Sequence, residues 1–230
     1  MSKIGIIGAM ELEVETLKAQ MKVEKKTVKA GMEFFEGTLD TANVVIVRCG
    51  IGKVNAGICV QILVDLFDVT HIINTGVAGS LNPKLDIGEI IISKDVIHHD
   101  VDVRVFGYPL GEVPQLGCRE FVADAKMIEL ALEACKEAGL QTTTGRVVSG
   151  DQFISSSEVK NHLIENFAAD CAEMEGASIA HTCYLNKVPF VIIRAISDKA
   201  DGSAEMDYPT FEREAAYHCA EITKSFVQKL

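Results

Sequence analysis

Short apolar runs alternate with amphipathic segments along this chain, in the order typical of α/β layer architectures. The apolar runs predict strands at residues 3–8, 43–48, 71–74, 89–93, 144–149 and 189–198, with a hairpin around residues 34–37. Apolar residues at helical spacing predict helices at about residues 10–21, 53–67, 124–138, 156–166, 174–186 and 210–229. No repeat or linker-like tract divides the sequence, so we expect a single domain over residues 1–230.

The most apolar of these runs, residues 189–198, ends in an aspartate. Its β-branched residues predict a strand buried on both faces of a parallel sheet. Ser197 and Asp198 then lie at the rim where α/β sheets bind ligands, and partial burial there raises the pKa of a carboxyl group. Taken alone, Asp198 is better explained as the cap of a following helix or turn.

Composition excludes several classes of protein. The chain has 230 residues, a hydrophobic fraction of 48% and a formal net charge of −11. The hydrophobic fraction is typical of a globular protein. A nucleic-acid partner is not expected, because phosphate binding needs clustered Lys and Arg. The longest basic stretch, residues 22–29, is broken by Glu24 and is expected to be a solvated connection.

The cysteines and the apolar run lengths indicate a cytoplasmic protein. None of the seven cysteines forms a CxxC pair, and Cys49, Cys59, Cys171 and Cys183 have apolar neighbours, as reduced core thiols do. No uncharged run approaches the ~18 residues of a membrane span. Acidic residues from Glu11 onward come too early for a signal peptide.

Two glycine-containing segments follow predicted strands. Residues 50–57 lack the Walker A residues, since Val47 and Val54 stand in the key positions, and no Rossmann pattern fits either. A tight turn before a helix remains, with backbone amides available to a small ligand. The segment Thr75–Ser80 allows close approach of a ligand to the backbone, or is an ordinary turn.

Further candidate chemistry is aromatic and acidic. Residues 149–154 follow a strand, and Phe153 offers a flat face to a heteroaromatic base. Glu173 and Glu175 flank Met174 before a predicted helix. One glutamate there is explained by the helix dipole, but a pair also suits binding of vicinal sugar hydroxyls.

The histidines do not indicate a metal site. His98-His99-Asp100 supplies too few ligands for zinc, so we expect no metal. His71 and His181 are interpreted as structural residues.

Taken together, six segments resemble the bacterial 5′-methylthioadenosine/S-adenosylhomocysteine nucleosidases of the purine nucleoside phosphorylase-like superfamily. The matching segments are residues 5–13 (GIIGAMELE), 50–54 (GIGKV), 74–76 (NTG), 149–153 (SGDQF), 173–175 (EME) and 194–198 (RAISD). They occur in family order over nearly the whole chain. The resemblance implies a single-domain three-layer α/β/α sandwich with a mixed, mostly parallel twisted sheet, a homodimer, and hydrolysis of the N-glycosidic bond that releases adenine without a cofactor.

The resemblance also implies roles for individual residues. Asp198 is the expected general acid toward N7 of the purine, and Glu13 the expected base for water, with Arg194 and Glu175 nearby. The substrate-binding set that it implies comprises Met10, Ile51, Val77, Gly79, Phe153, Ile154, Met174, Glu175, Ser197 and Tyr208, with Val103 and Phe106 of the partner subunit. The expected substrates are 5′-methylthioadenosine, S-adenosylhomocysteine and 5′-deoxyadenosine.

The sequence departs from the family pattern at two positions. Val77 stands where many members have serine, and Tyr208 where phenylalanine is common. Neither change removes a catalytic carboxylate, so we expect altered rates or preferences rather than a different reaction.

Two alternatives remain open. A purine nucleoside phosphorylase would need cationic groups beside the sugar, whereas Asn74 and Glu11 occupy positions at which phosphorylases carry basic residues. A non-catalytic nucleoside sensor would not need both Glu13 and Asp198.

Two segments carry structural expectations. Residues 98–117 have no clear period and contain apolar side chains at Val103, Phe106, Tyr108 and Leu110, which predicts a dimer contact that closes the neighbour's tail pocket. Residues 199–207 are predicted to form a mobile lid.

Overall fold

The computed structural model describes residues 2–230 and contains, within that range, ten strands and six α-helices. The strands are β1 (Lys3–Gly8), β2 (Lys22–Lys29), β3 (Met32–Leu39), β4 (Ala42–Arg48), β5 (His71–Ser80), β6 (Ile90–His98), β7 (Phe121–Val122), β8 (Thr142–Ser149), β9 (Cys171–Glu173) and β10 (Phe190–Asp198). The helices are α1 (Glu11–Gln20), α2 (Lys53–Phe67), α3 (Ala125–Glu137), α4 (Ser157–Phe167), α5 (Gly176–Asn186) and α6 (Ala204–Val227). None of the helices within residues 2–230 has the length and apolarity needed to cross a bilayer.

The sheet is mixed. Its centre is parallel, in the order β4–β1–β5–β10. At one edge β3 pairs antiparallel with β4, and β2 pairs antiparallel with β3. Beyond β10 the sheet turns back on itself: β10 pairs with β6, β6 with β8, β8 with β9, and β9 with β5. Five strands therefore close a ring, and the carboxyl ends of β5, β9 and β10 meet on one side of it.

Helices cover both faces of the sheet, which confirms the three-layer prediction. One core cluster packs α2 and α5 against side chains such as Ile72 and Ile192, and the other packs α1, α3 and α6 against Ile73 and Ile193. Every residue of β10 is buried, as expected for a strand covered on both faces. The predicted core thiols, Cys49, Cys59, Cys171 and Cys183, are buried and unpaired.

Three local predictions were wrong, and one alternative left open is decided. The last helix was predicted from residue 210 but begins at Ala204. Residues 22–29 form the edge strand β2 rather than a connection; its side chains are mostly exposed, so no apolar alternation marks it. Residues 75–80 continue β5 rather than form a turn, because Gly76, Val77 and Ala78 pair with β10. The helix predicted from residue 174 begins at Gly176, since Glu175 has non-helical dihedrals and precedes the first turn.

The segment 98–117 contains one short 3₁₀ helix, Arg104–Phe106, and is otherwise irregular. The side chains of Val105 and Phe106 are 86% and 78% exposed, whereas the large apolar side chains of the core are buried. Val103 is only half-buried, and Leu110 packs against a small third cluster that includes Phe167. This segment therefore presents apolar surface to solvent, as its sequence indicates.

Candidate active site

A cavity of about 340 Å³ opens where the carboxyl ends of β1, β5, β9 and β10 meet the start of α1. Its volume is within the range of small-molecule sites. The structure brings eleven of the predicted site residues to its wall: Met10, Glu13, Ile51, Val77, Gly79, Phe153, Met174, Glu175, Ser197, Asp198 and Tyr208. Residues far apart in sequence thus converge on one space.

Asp198 is buried at the end of β10, where the pairing with β5 shifts register between Ile196 and Asp198. Such irregularities re-aim a side chain. One carboxylate oxygen, Oδ1, accepts the backbone N–H of Ala200 at 2.8 Å, and Oδ2 accepts the Ser197 hydroxyl at 2.9 Å. Burial raises the pKa of Asp198, while these two hydrogen bonds oppose the rise. Asp198 therefore caps the following turn and faces the cavity as well.

Glu13 lines the same cavity from the first turn of α1. Its Oε2 accepts the backbone N–H groups of Ala9 at 2.6 Å and Met10 at 2.9 Å, as a glutamate at the third position of a helix commonly does. Its Oε1 accepts the N–H of Val77 at 3.1 Å. Burial raises the pKa of Glu13, and Arg194 together with these amides lowers it.

Arg194 is buried behind the cavity rather than on its wall. Its Nη2 donates to Glu173 and to Asn74, while Nη1 and Nε have no hydrogen-bond partner. Burial disfavours the charged guanidinium, but the carboxylates of Glu173, Glu13 and Glu175 outweigh this and raise the pKa of Arg194. The cation therefore stays charged, and two of its buried nitrogens have no hydrogen-bond partner among residues 2–230.

The side chains of Arg194 and Glu13 both approach Gly76 of β5. A side-chain carbon built on Gly76 would be 2.7 Å from Nη1 of Arg194 and closer still to Glu13 Oε1, so glycine alone leaves room for both groups. The acid of α1 and the cation of β10 therefore lie beside the same glycine, without a direct ion pair between them among the described residues.

The two glutamates of the Glu173-Met174-Glu175 segment have different contacts. Glu173 accepts the N–H of Gly176 at 2.8 Å and the Ser149 hydroxyl, and it pairs with Arg194. It therefore caps α5 and compensates the buried cation. Sequence reasoning placed Glu173 in a site motif but missed this role; the pair of glutamates before a helix start was the available signal.

Glu175 faces the cavity and has a different environment. Its Oε1 accepts the N–H of Gly52 at 2.8 Å, and its Oε2 lies 3.9 Å from Arg194 Nη2. Burial and repulsion from Glu173 raise the pKa of Glu175 to about 8, against the opposing effects of Arg194 and the Gly52 amide. The amide expected to approach a ligand at Gly52 is therefore used by a carboxylate of the protein itself.

The outer part of the cavity is apolar and aromatic. Phe153 and Tyr208 pack edge to face, with ring centroids 5.6 Å apart. The Tyr208 hydroxyl donates to the Met10 sulfur at 3.3 Å. Ile51 is exposed at the rim, and Met174 is half-buried. These side chains provide low-polarity surface in the same cavity as the carboxylates.

Three predicted residues besides Arg194 do not line the cavity. Ile154 lines a small adjoining space that it shares with Phe153 and Asp198, rather than the main cavity. Val103 and Phe106 do not reach the cavity of their own chain. Their predicted position in a partner's site stays a prediction.

Within residues 2–230, no group of three or more His, Cys, Asp or Glu side chains is arranged to hold a metal ion. His98 and His99 are buried, and His181 stacks on Phe121 with ring centroids 4.9 Å apart. Burial lowers the pKa of His98 to about 4, so this ring is neutral.

The sequence profile of the phosphorylase superfamily matches residues 3–228. A 5′-methylthioadenosine/S-adenosylhomocysteine nucleosidase of Halalkalibacterium halodurans is 41% identical over 231 residues, which cover 100% of this chain and 100% of that relative. The crystal structure of a 5′-methylthioadenosine/S-adenosylhomocysteine nucleosidase from Neisseria meningitidis, in complex with methylthio-immucillin-A, has a TM-score of 0.97 and 38% identity and covers 100% of both chains. The native structure of a futalosine hydrolase of Helicobacter pylori has a TM-score of 0.95 and 33% identity, covering 100% of this chain and 98% of that one.

Proposed function

This chain belongs to the 5′-methylthioadenosine/S-adenosylhomocysteine nucleosidase family of the phosphorylase superfamily, and we propose that it hydrolyses the N-glycosidic bond of adenosine thioethers to release adenine. It is therefore an enzyme, a purine nucleosidase. The observation that supports the proposed mechanism is that Glu13 and Asp198 line the same cavity. A binding module that senses nucleosides has no need of this acid and base.

Asp198 is the proposed general acid. Adenine leaves poorly as an anion, so a proton delivered to N7 lowers the barrier to cleavage, and general acids typically contribute about 10²–10⁴-fold. The raised pKa of Asp198 supports this role, because it favours the protonated carboxyl that donates. The Ser197 hydroxyl and the Ala200 amide hold the carboxyl in place.

Glu13 is the proposed base for the attacking water. Three backbone amides fix its two oxygens, so its orientation does not depend on substrate. The free Nη1 and Nε of Arg194 are suited to orienting the same water, because both are buried and lack protein partners. Attack then occurs on the anomeric carbon, from the face opposite the departing base.

Glu175 and Met174 are the proposed ribose contacts. As the glycosidic bond stretches, the sugar gains oxocarbenium character. A carboxylate beside it stabilises this positive charge more than the neutral ground state, which is the requirement for catalysis. Met174 supplies an apolar surface for the sugar ring.

In this proposal the remaining lining residues contact the adenine ring and the 5′ substituent of the nucleoside. Phe153, Ile154 and Ser197 frame adenine, while Ile51, Met10 and Tyr208 line the pocket for the thioether. Val77 and Gly79 complete the floor of the cavity along β5. No cofactor or metal takes part in the proposed reaction.

The names of the relatives point to 5′-methylthioadenosine and S-adenosylhomocysteine as substrates, and we propose both, with 5′-deoxyadenosine as a third. A difference of one methylene changes discrimination by only ~1–3 kcal/mol. Because one similar structure is a futalosine hydrolase, futalosine belongs in the same panel. Values of kcat/KM on the four nucleosides rank them directly.

Phosphorolysis is the alternative within the superfamily. Four acids, Glu13, Glu173, Glu175 and Asp198, line the cavity, and no Lys or Arg side chain in the described part of the chain does so. Asn74 is buried and donates to the Ile7 carbonyl, so it does not supply a phosphate contact. A negative cavity disfavours phosphate and suits water.

Product identity with and without inorganic phosphate tests this function. With 5′-methylthioadenosine as substrate, we expect adenine and free 5-methylthioribose at a rate that does not depend on phosphate. Formation of 5-methylthioribose 1-phosphate, or a rate that requires phosphate, would overturn the proposal.

We also propose a homodimer. Val105 and Phe106 are exposed apolar side chains on a protein of net charge −11. Val54 and Ile58 on α2 and Leu185 on α5 are also exposed, and these two helices pack side by side. Exposed apolar surface of this extent is typical of interfaces. In the dimer, Val103 and Phe106 of the partner subunit would close the thioether pocket.

A further inference from the structure

The amino terminus of α2 is bound by two carboxylates. The N–H of Gly52 donates to Glu175 Oε1 at 2.8 Å, and the N–H of Lys53 donates to Asp151 Oδ1 at 2.8 Å. Free N–H groups at a helix start, together with the helix dipole, favour negative charge at this position. Glu175 belongs to the proposed catalytic site, whereas Asp151 does not line the cavity.

Asp151 is itself fixed by a short cycle of contacts. Its own N–H donates to Asp100 Oδ2 at 3.2 Å, and Asp100 Oδ1 forms an ion pair with the Lys53 ammonium at 2.5 Å. Both side chains of this ion pair are 20% exposed, so it is partly shielded from solvent. The backbone and side chain of Lys53 are therefore both tied to the loop that carries Asp151.

The carboxylate of Asp151 also packs directly on Gly52. A side-chain carbon built on Gly52 would lie 2.9 Å from Asp151 Oδ1, and the φ angle of 97° favours glycine. Gly52 can therefore neither move toward Asp151 nor carry a side chain without displacing it. Its amide stays directed at Glu175.

We propose that Asp151 is a positioning residue, which holds the Gly52 amide against Glu175 so that the Glu175 side chain stays directed at the ribose and ionises more readily than burial alone would allow. This inference rests on the proposed role of Glu175. It adds Asp151, with Asp100 and Lys53 behind it, to the groups that determine the rate.

The charges around Glu175 explain why the Gly52 amide affects the ionisation of this carboxyl group. Glu173 and Glu13 repel its charge, the Cys49 thiol lies nearby, and Arg194 is its one close cation among the described residues. Glu173 already uses Nη2 of that cation, so Arg194 compensates Glu175 only in part. The Gly52 N–H is a direct donor to the charged form, and its loss therefore favours the neutral carboxyl.

The pH dependence of kcat/KM for 5′-methylthioadenosine tests the inference. Asp151→Ala removes the acceptor of the Lys53 amide, and we expect the midpoint of the acidic limb to rise by about half a pH unit or more. Asp151→Asn keeps an oxygen that accepts the same amide, so we expect its midpoint to stay near that of the unaltered enzyme. Lys53→Met breaks the ion pair with Asp100 but keeps the backbone amide, and a smaller rise is expected.

Asp124→Ala is the matched control. Asp124 Oδ1 accepts the N–H of Met127 at 2.9 Å at the start of α3, outside the cavity lining. Loss of this carboxylate should lower the melting temperature without moving the midpoint of the acidic limb.

The inference is overturned if Asp151→Ala leaves the pH profile of kcat/KM unchanged, or if Asp124→Ala moves the midpoint equally. If Asp151→Ala does not fold, an unmoved midpoint in Lys53→Met has the same consequence. Failure of the unaltered protein to release adenine would contradict the proposed function instead.

Discussion

The carboxylate of Asp198 occupies the space that a side chain at Gly79 would fill. A carbon built on Gly79 would lie 2.8 Å from Asp198 Oδ1 and 2.9 Å from the Cβ of Ala200. The two residues are opposite each other where the register of β5 and β10 shifts. The position of the proposed acid therefore depends on the absence of a side chain on the neighbouring strand.

The first prediction concerns this contact. Gly79→Ala should displace Asp198 and lower kcat for adenine release by about 10- to 100-fold, since small misplacements of a reacting group reduce rates strongly. Gly202→Ala is the matched control, because nothing lies within 4 Å of a side-chain carbon there. Steady-state kinetics of both variants decide the matter. A Gly79→Ala enzyme with unaltered kcat would show that Asp198 tolerates displacement or does not act as the acid.

The second prediction concerns stability and pH at Glu175. Its pKa is raised from 4.5 to about 8 in the folded state, so the folded protein binds a proton that the unfolded chain has released. The resulting contribution to stability is complete below about pH 4.5 and is lost as the pH rises to about 8. Glutamine cannot ionise, and its carbonyl oxygen can still accept the Gly52 amide.

Glu175→Gln should therefore raise the melting temperature at pH 8.5 by ~5 °C or more and change it little at pH 5, as one pKa unit corresponds to about 1.4 kcal/mol. Thermal unfolding across this pH range is the measurement. An equal difference at both pH values would contradict the environment described for Glu175.

The third prediction is that replacement of Glu173, unlike that of Glu175, destabilises the protein. Glu173 pairs with the buried Arg194, so Glu173→Gln leaves a buried cation partly uncompensated. Removal of one partner of a buried ion pair typically lowers the free energy of unfolding by about 3–5 kcal/mol. Chemical denaturation at neutral pH should show this loss for Glu173→Gln and not for Glu175→Gln. Similar behaviour of the two variants would contradict the division of roles.

The fourth prediction addresses the homodimer. If Phe106 closes the partner's thioether pocket, Phe106→Ala should raise KM for 5′-methylthioadenosine by about 10- to 100-fold, the effect of losing a buried aromatic side chain. Mixing Phe106→Ala with Asp198→Asn chains should restore sites that join an intact acid to an intact partner loop. Val28→Ala, on the exposed strand β2, is the control and should change neither KM for 5′-methylthioadenosine nor the activity recovered on mixing. Light scattering that shows an active monomer at micromolar concentration would rule out the arrangement.

The central strands, and the position of Asp198 at a ligand-binding rim of the sheet, could be predicted from the sequence pattern. A short continuous run of β-branched residues favours a strand covered on both faces over a buried helix, and β10 is buried throughout. Helix α2 was predicted at its observed limits, Lys53–Phe67, because its apolar residues keep helical spacing between a glycine turn and Asp68. The convergence of the predicted site residues on one cavity follows from the resemblance to a known family.

Other features depend on tertiary contacts that sequence patterns do not record. Strand β2 is specified by its pairing with β3, not by a buried face of its own. The small residues of β5 form a strand because β10 lies beside them. The different roles of Glu173 and Glu175 depend on which of the two meets Arg194, and only the placement of α5 determines that. The predicted lid at residues 199–207 overlaps the first turn of α6, and its mobility stays a prediction.

Replacement of the proposed acid tests the account most directly. Asp198→Asn keeps the shape of the side chain but cannot deliver the proton, so adenine release from 5′-methylthioadenosine should fall by about 10²–10⁴-fold. Binding of the intact nucleoside, measured by calorimetry on the same variant, should remain within about tenfold, a difference of about 1.4 kcal/mol. Near-normal adenine release by Asp198→Asn, with binding preserved, would contradict the proposed mechanism at its central step.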